Sequence, residues 1–184
     1  MMTAVVQGEI ARGEMVVLRE KRREDATADY AWRKDPELAR YDAAKPIATA
    51  FADYVALFED ELENPGAFRR TYAVEDGEGR HIGNVMYYNI DRLKGEAEVG
   101  ITIGDRGYWG RGYGTDALRT LAGYLFRNTV MRRLYLKTLD WNYRAQRSFS
   151  KAGFVACGKS RRSDGSFVLM ELRREWVVPE EGEE

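Results

Sequence analysis

Apolar and polar positions along the chain divide it into short segments that switch between the period of a strand and that of a helix. Met15 to Arg19 reads as a first strand, and a helix follows around Asp25 to Lys34 that should stop before Pro36. In Ala50 to Leu62 the residues Tyr54, Leu57, Phe58 and Leu62 recur at helical spacing, and Asn64-Pro65-Gly66 ends that helix. The period then shortens. Thr71 to Glu75 and His81 to Ile90, joined by the turn Asp76 to Gly79, predict a hairpin. In Glu96 to Gly104, Ala97, Val99, Ile101 and Ile103 alternate with Glu98, Gly100 and Thr102, the pattern of a half-buried strand. A helix to about Arg127 follows, with Leu118, Leu121, Ala122 and Leu125 on one face. Leu134 to Leu139 is the next strand, Asn142 to Ala152 a short helix, and Phe154 to Lys159 and Phe167 to Trp176 a closing pair of strands. Early helices, a hairpin and then alternating strands and helices predict a mixed α/β sheet with helices on its faces.

Between the alternating strand and the third predicted helix lies GYWGRGYGTDAL, Gly107 to Leu118, with glycines at 107, 110, 112 and 114. One reading is a turn that needs positive φ angles. The other is an anion cradle: the first N–H groups of a helix have no intrahelical partner, and glycines before them let a phosphate approach closely. Arg111 adds positive charge. Two familiar phosphate loops do not fit, because no Lys-Ser/Thr pair follows the second glycine and Gly110-x-Gly112-x-Gly114 is not G-x-G-x-x-G.

Composition narrows the classes. The 184 residues suit one domain, here 14–178, with an N-terminal extension at 1–13 and a frayed acidic tail at 179–184. A formal charge of -1 gives no sign of a nucleic-acid partner. A single cysteine, Cys157, and no signal-peptide core point to a reducing cytoplasm. No apolar run approaches the roughly 20 residues that span a bilayer. One histidine and one distant cysteine do not suggest a metal site.

With these residues in view, the chain resembles the GCN5-related N-acetyltransferase (GNAT) family over about Leu18 to Arg173. That family's Gln/Arg-x-x-Gly-x-Gly/Ala loop falls on Trp109 to Gly114, with Trp109 in the Gln/Arg slot. The spelling Tyr-Trp-Gly-Arg-Gly-Tyr-Gly is similar to the branch of ribosomal-protein N-terminal acetyltransferases and spermidine acetyltransferases. Asn142 to Phe154 resembles the family's later motif in the expected order, although Asn142 as an N-cap and Gly153 as a terminator explain the same residues. The resemblance implies the GNAT fold: a mostly antiparallel central sheet, splayed at the cofactor site, with helices on both faces. It implies acetyl-CoA as cofactor, held by Ile101, Thr102, Ile103, Trp109, Gly110, Arg111, Gly112, Tyr113, Gly114 and Thr115, and by Asn142, Arg147 and Phe149.

The implied reaction is acetyl transfer to a primary amine, either a small molecule or a peptide N-terminus, by direct transfer in a ternary complex. Gly100 is the expected bulge site and the Ile101 N–H the oxyanion donor. Glu98, on the same strand, is the first candidate for base, and Asp140 the second. His81 is read as a surface residue at a strand entrance. The family's tyrosine seven residues after the Asn is Phe149 here, so Ser148, water or the thiol's own acidity must serve the leaving group. That departure keeps open a second class, an acyl-CoA-binding or sensor module with little catalysis, and a glycine loop holding a different phosphate compound is a third. Tyr30, Trp32, Tyr41, Tyr87, Tyr88 and Asp140 are the expected acceptor-pocket residues. A homodimer also remains open.

Overall fold

The computed structural model describes residues 8–177. Eight strands form one sheet: β1 (Glu9–Arg12), β2 (Val16–Glu20), β3 (Arg69–Asp76), β4 (His81–Asp91), β5 (Glu96–Ile103), β6 (Arg133–Leu139), β7 (Val155–Arg162) and β8 (Gly165–Arg173). Their spatial order is β1-β2-β3-β4-β5-β6-β8-β7. Every neighbouring pair is antiparallel except β5 with β6. Five helices cover it: α1 (Asp25–Lys34), α2 (Pro36–Tyr41), α3 (Phe51–Glu63), α4 (Tyr113–Asn128) and α5 (Tyr143–Lys151).

The core lies between the sheet and α4 with α5. Leu118, Leu121, Leu125 and Phe126 of α4 are buried against Val16, Leu18, Val85 and Val99 of the strands. The apolar alternation of β5 sends Ala97 and Val99 to this side. On the other face α1 and α2 lie over the sheet, and the Trp32 ring fills the space above Gly104, where an added Cβ would stand 2.0 Å from it. No helix among the described residues is long and apolar enough to cross a membrane.

Three features differ from the sequence expectation. Residues 9–12 of the expected extension form edge strand β1, whose four residues are too few to display a period. Pro36 stops α1 but also starts α2: Asp35 caps it, accepting from the Glu37 and Leu38 N–H groups at 2.9 and 3.1 Å, and proline suits a first helical position. The irregularity expected at Gly100 lies across the ladder instead. Gly100 pairs regularly with Met86, while the register shifts between Tyr88 and Asp91, where Asn89 has φ 50°. The expected tail at 179–184 falls outside the described residues.

His81 is not a surface residue. It belongs to a buried charged cluster in which Arg19 bridges Asp25 at 2.8 Å and also Glu75, and Lys21 meets Asp29 at 2.7 Å. The His81 ring packs edge-on against Trp32, with Nδ1 3.2 Å from Asp25. Burial first, then the neighbouring Lys21, pushes its pKa down, although Asp25 and Asp29 pull the other way.

Candidate active site

The parallel pairing of β5 with β6 ends early. Glu96, Ala97 and Glu98 face Arg133, Leu134 and Tyr135, and beyond Glu98 the two strands part. The direction of the freed backbone follows from the antiparallel ladder. Gly104 donates its N–H to the Ile82 carbonyl on the β4 side at 3.0 Å. Backbone groups alternate sides with a period of two, so Thr102 and Gly100 also point to β4, and Ile101 and Ile103 point into the gap left by β6. A buried strand with backbone groups lacking a partner strand is where an extended ligand can add as another strand.

The glycine run borders this gap. Gly110 and Gly112 have φ 71° and 93°, conformations that disfavour a side chain. Gly112 is the N-cap of α4, no side chain caps it, and the first intrahelical bond is Asp116 N–H to the Gly112 carbonyl at 2.9 Å. The Tyr113, Gly114 and Thr115 N–H groups are thus aimed out of the helix start. Gly114 contributes space: its missing Cβ would touch Ser148, Ile101 and Ile103 at 3.6–3.7 Å.

The start of α4 is held from below. The Asp116 carboxylate accepts from the Glu14, Met15 and Val16 N–H groups at 3.2, 2.7 and 3.0 Å. Gly13 makes that approach possible, since a Cβ there would stand 2.5 Å from the same carboxylate. Sequence reasoning missed Asp116; an acid in a helix's first turn was the available signal.

A cleft of about 700 Å³ runs along the gap and reaches both faces of the sheet. On the α4 side it is lined by Ile101, Ile103, Gly110, Gly112, Gly114 and Thr115, then by Asn142, Arg147, Ser148 and Phe149. Asn142 caps α5 by accepting from the Ala145 N–H at 3.2 Å, so its capping role is realised at the cleft wall. Ser148 Oγ lies 3.0 Å from the Thr115 hydroxyl. Trp109 also lines the cleft, and its indole N–H donates to the Ile103 carbonyl at 2.6 Å, occupying one of that carbonyl's two acceptor sites. Neither Arg111 nor Tyr113 lines the cleft; the guanidinium lies over the rings of Tyr108 and Tyr113 instead.

On the opposite face the cleft is bounded by Tyr41, Asp42, Met86, Tyr88, Thr102 and Lys137. Of the expected acceptor residues, Tyr41 and Tyr88 are therefore in place. The others are elsewhere. Tyr30 donates to the Thr49 carbonyl at 2.9 Å and packs on Phe51 and Tyr54. Trp32 covers Gly104, and Tyr87 packs against buried Tyr72. Asp140 borders a separate shallow hollow with Trp141 and Lys159.

Glu98 does not reach the cleft wall. It is 4% exposed, accepts from the Asn89 side chain at 2.9 Å and has its other oxygen 3.2 Å from the Lys137 ammonium. Glu98 is thus screened from direct contact with an incoming amine, and the expected base role is left only in its water-mediated form, by way of the cleft-lining Tyr88 beside it. The αL conformation of Asn89 is what turns its amide toward Glu98, and asparagine tolerates it well.

An open strand backbone beside a bare helix N-terminus, with a passage to the other face, is the architecture of an acyl-CoA-dependent N-acyltransferase. The chain belongs to the GNAT acetyltransferase family: the acetyltransferase (GNAT) domain model matches residues 16–155. Its cofactor is acetyl-CoA, and the cradle just described fits that group. Among curated relatives, the N-acetyltransferase p20 of Bacillus licheniformis is 28% identical over 126 residues, 67% of this chain and 70% of the relative. Among solved structures, spermidine N-acetyltransferase from Vibrio cholerae, in complex with CoA and spermine, superposes with TM-score 0.79 at 20% identity, covering 89% of this chain and 98% of the other. The aminoglycoside acetyltransferase AAC(6')-Ib, in complex with ribostamycin and coenzyme A, gives 0.76 at 20% identity, covering 93% and 100%.

Proposed function

We propose that this N-acetyltransferase transfers acetyl directly to a primary amine in a ternary complex, the donor lying on the α4 side and the acceptor entering beside α2. The observation that carries the reading is the continuity of the cleft through the sheet, with Gly112 and Gly114 at one side and Asp42 and Tyr88 at the other. Both a small cationic amine and a peptide N-terminus meet that chemistry. Similar folds take such amines, as the spermine and ribostamycin complexes illustrate.

Bound acetyl-CoA supplies an activated thioester acyl group. The N–H groups at the start of α4, where Gly112, Gly114 and Thr115 line the cleft, would hold the pyrophosphate, and the guanidinium of Arg147 adds positive charge to the same wall. Ile101 uses its N–H, which points into the gap, to polarise the thioester carbonyl. Ser148, on the cleft wall beside Gly114, would supply a hydroxyl to the leaving sulfur. With the Thr115 hydroxyl donating to it or to the Ser148 carbonyl, the Ser148 O–H is free to turn into the cleft. Phe149, 8% exposed, packs with the core and excludes water. Glu98 acts by fixing the Lys137 side chain in an ion pair at the edge of the acceptor face.

Free CoA release across spermidine, ribostamycin and a short peptide with a free N-terminus tests this reading. Turnover of at least one amine is expected. Tight CoA binding with no release above background for any of them would support the sensor alternative and overturn the transferase reading.

A further inference from the structure

We propose that Asp42 receives the acceptor ammonium, holding it opposite Ile101 and taking its proton. This inference rests on the amine-acceptor reading above and adds to it the residue that selects a cation.

The geometry is specific to the turn after α2. Asp42 is the C-cap of that helix, with its N–H bonded to the Leu38 and Ala39 carbonyls at 3.2 Å. The next residue, Ala43, has φ 52°, an αL conformation that a glycine would adopt with less strain. On the other side Tyr41 packs edge-on against Trp109 at 5.8 Å and against Trp141 at 5.7 Å, with the Arg144 guanidinium 4.6 Å from its ring. The turn is thus fixed from both directions, and it presents Asp42 to the cleft, whose lining also includes Thr102.

Thr102 and Gly100 share one face of β5, two residues apart, about 7 Å along the strand. Gly100 carries no side chain there, and a Cβ would stand 3.2 Å from Met86 and 3.6 Å from the Tyr88 ring. Its absence leaves an apolar, aromatic floor between Asp42 at one end and Lys137 at the other. A cationic amine laid on that floor meets, at the Lys137 end, a charge already paired with Glu98, and is drawn to Asp42, next to the backbone that polarises the acyl carbonyl.

Solvent reaches Asp42, yet the concave walls limit how well water stabilises its charge. Asp42 is exposed at the cleft mouth, and partial desolvation by the surrounding walls raises its carboxyl to about 6, with Thr102 and Arg33 opposing. The other groups facing it are Tyr41 on its own turn, Tyr88 on β4, Lys137 on β6 and Arg144 on α5. Burial, and Glu98 next to it, push the Tyr88 hydroxyl up, away from this range.

The proton balance closes. Asp42 takes one proton from the ammonium, and the freed lone pair forms the C–N bond as the C–S bond breaks. Of the two protons left on nitrogen one passes to the thiolate and the other stays on the amide, and Asp42 returns its proton to solvent. One amide, one thiol and one proton result.

Two measurements test the proposal. In the first, Asp42→Asn and Asp42→Glu are compared with the unaltered protein using whichever of the three amines above turns over. We expect Asp42→Asn to lower kcat/KM about a hundredfold or more, with CoA affinity within twofold and the same melting temperature. Asp42→Glu should stay within about tenfold. The acid limb of kcat/KM, bending near pH 6, should be missing in Asp42→Asn. Rates within threefold and an unchanged limb would overturn the assignment while leaving the transferase reading intact. The second measurement needs no turnover. With CoA bound, the ¹³C carboxyl signal of Asp42 should titrate near pH 6, and its midpoint should fall when n-propylammonium replaces sodium at equal ionic strength. An unmoved midpoint would overturn the proposal even if no amine is acetylated.

Discussion

The two sides of β5 obey opposite rules. Toward β2, β3 and β4, the ladder is continuous, and its solvent-poor corner is filled by Arg19, Asp25, Glu75, Lys21 and Asp29, each with an opposite charge beside it. Toward β6, pairing stops at Glu98, and the N–H groups of Ile101, Ile103 and the α4 start are left facing a cleft. Buried polar groups without partners are costly, so one side spends its polar groups on stability while the other holds them for a ligand. The contrast teaches where to look for function in this fold: at the backbone that the sheet fails to pair.

The largest effect should come from breaking the paired side. Arg19→Met removes the guanidinium and leaves Asp25 and Glu75, at 4% and 3% exposure, with only the more distant Lys21 at 3.8 Å and Arg22 at 3.6 Å beside them. Loss of about 3–5 kcal/mol is expected in urea unfolding, and a loss below about 1 kcal/mol would mean that Lys21 and Arg22 neutralise the corner unaided.

Acid should reach the same cluster more gently. Burial works to raise the Asp25 carboxyl, but the Arg19 hydrogen bond, Lys21 and the Arg22 N–H outweigh it and lower it to about 2. A folded pKa below the unfolded one contributes stability that is complete above about pH 4 and lost as pH falls toward 2, roughly 2 kcal/mol for this group. His81, whose pKa is also lowered but which is a base, adds a loss that begins as pH falls through about 6.5, because the unfolded chain binds the proton more readily. Stability measured from pH 7 to 3 should therefore fall in two stages, and a flat profile would contradict the cluster's assigned role.

On the unpaired side, Gly112→Ala places a Cβ at φ 93° and should cost about 1–2 kcal/mol while weakening CoA binding more than tenfold. Gly77→Ala, where nothing lies within 4 Å and φ is not positive, is the control and should change neither. Equal effects at the two glycines would show that the run is an ordinary turn. The smallest change is expected from Phe149→Tyr. A thiol with pKa about 8–9 leaves tolerably at neutral pH, so turnover should change less than tenfold. A much larger gain in CoA release would show that the missing hydroxyl limits the reaction.

Much of this was legible before the structure. The alternation of Glu96 to Gly104, followed by glycines and an amphipathic helix, located the cleft, because period and glycine spacing are local properties. What escaped depended on contacts distant in sequence. Whether Glu98 or Asp42 faces the cleft turns on Asn89 and Lys137 capturing the one, and on a six-residue helix presenting the other. His81 followed the same logic: a residue beside a turn is usually exposed, but here α1 folds over it and brings Asp25 and Trp32. The separation of aromatics into cleft lining, such as Tyr41, and packing, such as Tyr30, likewise has no signature in spacing.

Residue-resolved amide hydrogen exchange with and without CoA is the most direct test of the central claim, that the unpaired backbone of β5 and α4 is the donor site. CoA should slow exchange at Ile101, Ile103 and Tyr113 to Thr115, and leave Val17, Ala73 and Val74 of the paired ladder unchanged. Slowing spread evenly over the sheet, or confined to residues outside the gap, would contradict it.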